Sequence, residues 1–257
     1  MSYNVKYFCT SNTGKCRKMN QDNYICDGRF TDYNGKMNNY PLMGSLSCDT
    51  PSIIGVFDGM GGEECGEIAS FIAAKCAAKT EIGNDPVEDL LRYCKDANER
   101  ICEYATQNGV KSMGTTAALL VFAKSEIALC NIGDSKIFRF ADGELKQISK
   151  DHYAAAAFGQ KPPLSQCLGI PETEMVIDPY VARGTYKDGD VFLICSDGLT
   201  DMVITDEIVR IMKETKTEDV VNTLLAKALE NGGKDNITII ACLVERVKQG
   251  VLQRIFG

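Results

Sequence analysis

A zinc site has little to draw on in this chain: there is one histidine, and no two of the 12 cysteines form a Cys-x-x-Cys pair. Long apolar runs are also absent. None approaches the roughly 20 residues that a helix needs to cross a bilayer, and Met1-Ser2-Tyr3-Asn4 opens nothing like a signal peptide. A cytoplasmic protein with no membrane partner is the expectation. Basic charge is in short supply, with 28 Lys and Arg against 35 Asp and Glu for a net charge of −7. A nucleic-acid groove needs a basic face, so nucleic acid is not an expected partner. No internal repeat, low-complexity tract or linker interrupts the 257 residues.

Apolar residues are plentiful, at 44% of the chain, enough for a sizeable core. The length suits one layered domain. Cys76 follows Ile72 by one helical turn, Cys94 stands near Leu90 and Leu91, and Cys195 ends the run Val191-Phe192-Leu193-Ile194. Such cysteines read as reduced, buried thiols acting as small hydrophobes. The most informative stretch is Ser52-Ile53-Ile54-Gly55-Val56-Phe57-Asp58-Gly59-Met60-Gly61-Gly62. Its apolar run reads as a buried strand with Asp58 at the mouth. The glycines let the backbone turn tightly and approach a ligand. A carboxylate beside bare carbonyls suits a hard divalent cation, and a plain turn with a capping Asp would look the same.

Along the chain, residues 3–9 and Tyr24-Ile25-Cys26 read as strands, and residues 27–51 as an exposed connection or hairpin. Glu63 to Lys79 has helical spacing. Asp85-Pro86-Val87-Glu88 is a helix start, and helical period then holds to about Gln107. Strands are expected over Thr115 to Ala123, Glu126 to Ile132 and Lys136 to Phe140, with Asp142-Gly143 turning into Leu145 to Ser149. Residues 151–173 read as a surface segment. Glu174 to Val181 and Asp190 to Cys195 read as strands, Thr205 to Lys213 and Thr217 to Glu230 as a second helix pair, and Asn236 to Val244 as the last strand. The order predicts an α+β domain, an α-β-β-α four-layer sandwich with two central antiparallel sheets and a helix pair on each outer face.

Carboxylates recur at the strand ends. Asp134 in Ile132-Gly133-Asp134-Ser135, Asp197 in Cys195-Ser196-Asp197-Gly198, Asp235 in Gly233-Lys234-Asp235-Asn236 and Asp22 in Gln21-Asp22-Asn23 repeat the setting of Asp58. Each alone is a turn residue. Gathered at one end of a sandwich, they would repel unless cations or protons compensate. A site for two Mg²⁺ or Mn²⁺ ions, all oxygen and largely water-filled, is their most economical use. Two such ions can share a bridging water and generate a hydroxide that attacks phosphorus. Arg17, with a fork that matches a phosphate edge, is the candidate clamp.

Asp58-Gly59-Met60-Gly61-Gly62, Gly114-Thr115-Thr116, Ile132-Gly133-Asp134-Ser135, Cys195-Ser196-Asp197-Gly198-Leu199 and Lys234-Asp235-Asn236-Ile237-Thr238 stand in the order and spacing of a known family. From about Tyr7 to Val244 the chain resembles the protein phosphatase 2C (PP2C) family, the metal-dependent PPM-type Ser/Thr protein phosphatases, in a bacterial form. The resemblance implies hydrolysis of phosphoserine and phosphothreonine with Mn²⁺ or Mg²⁺. It implies Asp58 bridging both metals, the Gly59 carbonyl on one, Asp197 and Asp235 on the other, and Asp134 joining Asp197 around a third, looser ion. Arg17 would hold the phosphate, and Asp22 would stand behind the direct ligands. Phosphorylated proteins are the implied substrates, with a Ser/Thr kinase as a plausible counterpart.

Three features depart from the family pattern. Gln21-Asp22 replaces its Glu-Asp, Glu63-Glu64 follows the glycines where relatives often carry His, and the segment after Lys150-Asp151-His152 is shorter than the usual flap. His152 reads as a surface turn residue. An aspartyl-phosphate mechanism of the Asp-x-Asp-x-Thr kind lacks its first acid, which is Cys195 here, and Met60 spoils the Asp-x-Gly-x-Gly loop of ATP-binding kinase folds. The alternative from another class is a catalytically inactive binding module on the same sandwich, which predicts damaged metal ligands. The domain is expected to span residues 1–246. The tail 247–257, with Val247, Val251, Leu252 and Ile255 at helical spacing, is expected to dock on it.

Overall fold

The computed structural model describes residues 2–33, 41–60, 65–124, 126–155 and 162–247. In chain order the elements are β1 (Tyr3–Asn12), β2 (Asn23–Ile25), β3 (Leu42–Ser47), β4 (Ile53–Phe57), β5 (Gly59–Met60), α1 (Gly66–Ala77), α2 (Pro86–Asn108), β6 (Gly114–Thr115), β7 (Ala117–Phe122), β8 (Ile127–Ile132), β9 (Lys136–Ala141), β10 (Glu144–Gln147), β11 (Tyr180–Gly184), β12 (Val191–Cys195), α3 (Asp197–Thr200), α4 (Thr205–Glu214), α5 (Thr217–Glu230) and β13 (Ile237–Arg246). One sheet runs β10-β9-β12-β13-β1-β3 and the other β11-β8-β7-β4-β2, and their pairings are antiparallel.

The unbroken apolar runs follow from the layering. A strand alternates its side chains between two faces, so a strand covered on both sides must be apolar at every position. In β4, Ile54 and Val56 enter the space between the sheets, while Ile53 and Phe57 pack under α1 and α2. In β13, Ile240, Cys242 and Val244 face the other sheet, and Ile237, Ile239 and Ala241 face α4 and α5. The layers are therefore helix pair, sheet, sheet, helices, as the α+β reading expects. Cys94, Cys130, Cys195 and Cys242 are buried in these cores, and the 12 cysteines are all unbridged.

Local signals decide most element ends. The Asp85 carboxylate accepts from the amides of Val87 and Glu88, with Pro86 in the first turn of α2, and Gly109 closes the helix with φ 65. Asp142 and Gly143 both take positive φ (54 and 81), which a two-residue hairpin between β9 and β10 requires.

Three expectations need correction, and one element is not expected from sequence. Residues 27–51 are more than a connection, because β3 pairs with β1 at the sheet edge. Its half-exposed alternation, with Met43 61% exposed, gives a weaker signal than a two-sided apolar run. The strand expected from Glu174 begins at Tyr180 instead; Val176 is 74% exposed and no strand lies opposite it among the described residues. The run from Thr115 breaks at Thr116, whose amide donates to the Asp58 carbonyl (2.9 Å). The four-residue helix α3 follows β12 directly, where sequence periodicity has too few residues to register. Glu63, Glu64, the flap residues 156–161 and the tail residues 248–257 lie outside the described residues. No helix of the described residues is long and apolar enough to cross a membrane.

Candidate active site

The ends of both sheets supply the site. Asp58 follows β4, Asp134 lies in the turn from β8 to β9, Asp197 begins α3 after β12, and Asp235 precedes β13. Asp22 sits just before β2, and Arg17 lies between β1 and β2. Six residues singled out by sequence thus reach one basin. Their charges act on one another: Asp58 feels Asp22, Asp197 and Asp134, Asp22 feels Asp197 and Asp235, and Arg17 feels Asp235, Asp58 and Asp197.

Burial and crowding set the protonation of these groups. Burial first, then the charges of Asp22, Asp197 and Asp134, pushes the Asp58 carboxyl well above the usual carboxylate range. Burial also dominates at Asp22, against hydrogen bonds from Thr238 and Ser196, and pushes it up to about 7. The Ser196 and Thr238 hydroxyls donate to Asp22 Oδ2, each at 2.8 Å. Asp22 Oδ1 is buried and has no partner among the described residues.

That orphaned oxygen and the mutually repelling acids fit a site for divalent cations. The donor set is all oxygen, which suits Mg²⁺ or Mn²⁺. Among the described residues no three His, Cys, Asp or Glu groups close on a single point. Ions that keep much of their own water do not require such closure.

The backbone around the acids is held by polar side chains. Thr116 Oγ1 accepts from the Asp58 amide (3.0 Å), and Thr115 Oγ1 donates to the Asp58 carbonyl (3.0 Å). Gly59 packs so closely that a Cβ would lie 2.2 Å from the Gly66 carbonyl oxygen and 2.4 Å from that of Gln21. Asn236 works as a clip: Oδ1 accepts from the Gln21 amide (2.7 Å), and Nδ2 donates to the carbonyls of Thr13 and Met19 (2.9 Å each). It ties the Arg17 loop to the Asp235 turn. Arg17 itself pairs with Asp235 through Nη2 and Oδ2 (2.7 Å). The Gln21 side chain donates to Glu67 at the start of α1 (3.3 Å). On the Asp134 side, the Gly133 amide donates to His152 Nδ1 (3.2 Å), and Tyr153 Oη donates to Asp134 Oδ2 (3.3 Å). His152, read from sequence as a surface turn residue, is instead half-buried and outside any turn, and its ring and amide brace the Asp134 turn through Gly133.

A family model described as protein phosphatase 2C matches residues 45–234. The chain belongs to the protein phosphatase 2C family. The serine/threonine phosphatase stp of Listeria monocytogenes is 30% identical over 221 residues, covering 77% of this chain and 86% of the relative. The serine/threonine protein phosphatase PstP of Mycobacterium tuberculosis is 28% identical over 219 residues, covering 80% of this chain and 43% of the relative. Among solved structures, the catalytic domain of PstP in complex with two manganese ions superposes with a TM-score of 0.77 at 26% identity, over 95% of this chain and all of that one. The PP2C model match begins after Arg17 and Asp22 and ends before Asp235, yet Arg17 and Asp22 act on Asp58 and Asp235 acts on both of them.

Sequence reasoning missed the hydroxyl and amide supports. Ser196, Thr238 and Asn236 lie within the PP2C motifs, but a single Ser, Thr or Asn in a turn carries no pattern of its own. One further spacing is inert: Cys94 and Arg100 stand as Cys-x5-Arg, the arrangement of thiol-dependent phosphatases. Here both lie within α2, Cys94 is fully buried, and its thiol is pushed well above its ordinary range by Cys130 and burial.

Proposed function

We propose that Asp58, the Gly59 carbonyl, Asp197 and Asp235 hold two divalent ions and that Asp134 with Asp197 holds a third, looser one. Asp22 stands behind them, and Arg17 takes the phosphate. The reaction is that of the family, hydrolysis of phosphoserine and phosphothreonine on proteins, dependent on Mn²⁺ or Mg²⁺. Such ions supply an activated water at neutral pH and offset the charge that builds on the phosphoryl group.

This chain's residues prepare the site for that chemistry. Asp58 keeps part of its surface open while its backbone is fixed by Thr115 and Thr116, which sets where its side chain leaves the chain. Ser196 and Thr238 hold one oxygen of Asp22 and leave Oδ1 to face a cation or to carry a proton. Arg17 spends Nη2 on Asp235 and retains other N–H groups for a phosphate oxygen. Tyr153 holds Asp134 by donating its hydroxyl to Oδ2.

The observation that carries this reading is the buried, unpartnered Asp22 Oδ1 within a basin of mutually repelling carboxylates. An inactive binding module would be free to lose these acids, and all five are present. Residues 1–246 are proposed as one phosphatase domain, cytoplasmic, opposing a Ser/Thr kinase. The test is turnover of a phosphothreonine peptide with Mn²⁺, with and without chelator. Asp58→Asn is expected to lower kcat by about 10³-fold or more with the melting curve of the metal-free protein retained. Turnover in excess EDTA, or near wild-type rates from Asp58→Asn, would overturn the assignment.

A further inference from the structure

The chain is acidic, with a net charge of −7, yet the rim of the basin beside Arg17 is cationic. Lys15, Lys18 and Lys234 are exposed there. Their placement follows from how two segments, residues 13–20 and 232–236, are joined. The Lys15 amide donates to the Gly233 carbonyl (2.7 Å), Asn236 clips both ends of the first segment, and a Cβ on Gly14 would lie 2.2 Å from the Asp235 carbonyl oxygen. Lys15 and Lys18 therefore flank Arg17, and Lys234 adjoins the Asp235 to which Arg17 is bonded.

Among the described residues none of these three ammonium groups has an ion pair or a side-chain hydrogen bond. Elsewhere among the described residues some lysines are matched, as Lys6 is with Glu245, Lys136 with Asp151, Lys187 with Asp142 and Lys227 with Glu230, and others such as Lys79 and Lys95 are not; what distinguishes these three is that two joined segments bring them beside one arginine. The two rim segments contain one carboxylate, Asp235, and Arg17 takes it. Unopposed cations thus lie on the two joined segments that carry Arg17, the proposed phosphate clamp. Exposed charges within a Debye length of one another act jointly on an incoming anion, raising the encounter rate and favouring partners of opposite sign.

We infer that this phosphatase selects phosphoproteins whose phosphorylated Ser or Thr is flanked by acidic residues. The inference rests on the proposed phosphatase site and names its substrate class. A phosphothreonine peptide with acidic flanks meets Lys15, Lys18 and Lys234 as its phosphate reaches Arg17, whereas a lysine-flanked peptide is repelled.

The test compares three phosphothreonine peptides, with acidic, uncharged and lysine flanks, under Mn²⁺ at low and high salt. Turnover of p-nitrophenyl phosphate, which has no flanks, is measured beside them. The acidic peptide is expected to exceed the lysine-flanked one in kcat/KM by about tenfold at low salt, mainly through KM, with the gap closing at high salt. The combined variant Lys15→Gln, Lys18→Gln and Lys234→Gln is expected to bring the peptides to parity, and glutamates at the same positions to reverse their order. Each ratio is internal to one protein, so a change in overall rate does not obscure it. Equal kcat/KM for the three peptides in the unaltered protein, with p-nitrophenyl phosphate turned over, would overturn the inference and leave the phosphatase reading standing. If neither peptides nor p-nitrophenyl phosphate are hydrolysed, the phosphatase reading falls. Anisotropy of labelled acidic and lysine-flanked peptides then decides the rim by itself, equal binding refuting it.

Discussion

Asp22 combines a buried carboxylate, two hydroxyl donors on one oxygen and none on the other. In the folded protein without metal its carboxyl titrates near 7, while in the unfolded chain it titrates near the ordinary value of about 3.9. Between these values the native state keeps a proton that the unfolded state has released. Stability of the metal-free protein is therefore expected to fall as pH rises from about 4 to about 7, and to be insensitive to this group outside that window. Thermal melts in chelator across this range check the sign, and Asp22→Asn should flatten the curve. Added Mn²⁺ should reverse the slope, because cation binding displaces the proton. Melts that rise toward neutral pH in chelator would refute the account. Arg17 gives a second prediction at this scale. Arg17→Ala should lower kcat/KM on phosphopeptides on the order of 10²-fold, and Arg17→Lys should recover part of it, since an ammonium lacks the planar fork. Steady-state kinetics of both variants measure the difference.

Helix α2 shows how an element distant in sequence holds the site's surroundings. Asn98 is buried on α2, and its Oδ1 accepts from the amides of Gly169 (2.7 Å) and Ile170 (3.1 Å) while Nδ2 donates to the Ile170 carbonyl (2.9 Å). The loop thus anchored presents Leu168 to Thr115, whose strand β6 pairs with Gly59 in β5. Asn98→Ala removes three hydrogen bonds and leaves buried backbone groups unpaired, so it should destabilise by about 2–3 kcal/mol. Hydrogen exchange should accelerate at residues 162–171 ahead of the sheets. Elements of this kind were legible in sequence to different degrees. The start of α2 at Asp85-Pro86 and the Asp142-Gly143 turn are written in residues that have one physical use there. Strands such as β4 and β13 are legible because two-sided burial makes every position apolar. Edge strand β3 and the four-residue α3 are not, since one has a half-polar pattern and the other is shorter than a helical period can register. In the site, carboxylates at strand mouths could be read because their setting repeats. Ser196, Thr238, Asn236 and Tyr153 could not, because their roles depend on which distant strands end side by side.

At the scale of the molecule, β13 lies at the centre of its sheet, paired with β12 on one side and β1 on the other. It contributes to the core between the sheets and to the core under α4 and α5. Removing residues from Ile237 onward should abolish cooperative unfolding, where loss of an edge strand would only lower its midpoint; calorimetry distinguishes the two. The ten-residue register of Tyr3–Asn12 against Ile237–Arg246 has a consequence for how the molecule comes into being. A ribosome delivers β1 first and its partner last, so for nearly the whole of synthesis one edge of β1 waits unpaired. Contacts this remote along the chain are slow to form and cannot be anticipated by any earlier segment. The Arg17 loop, likewise, has no Asp235 or Asn236 to join until the final strand emerges. The basin therefore cannot assemble before β13 has been made and paired with β1.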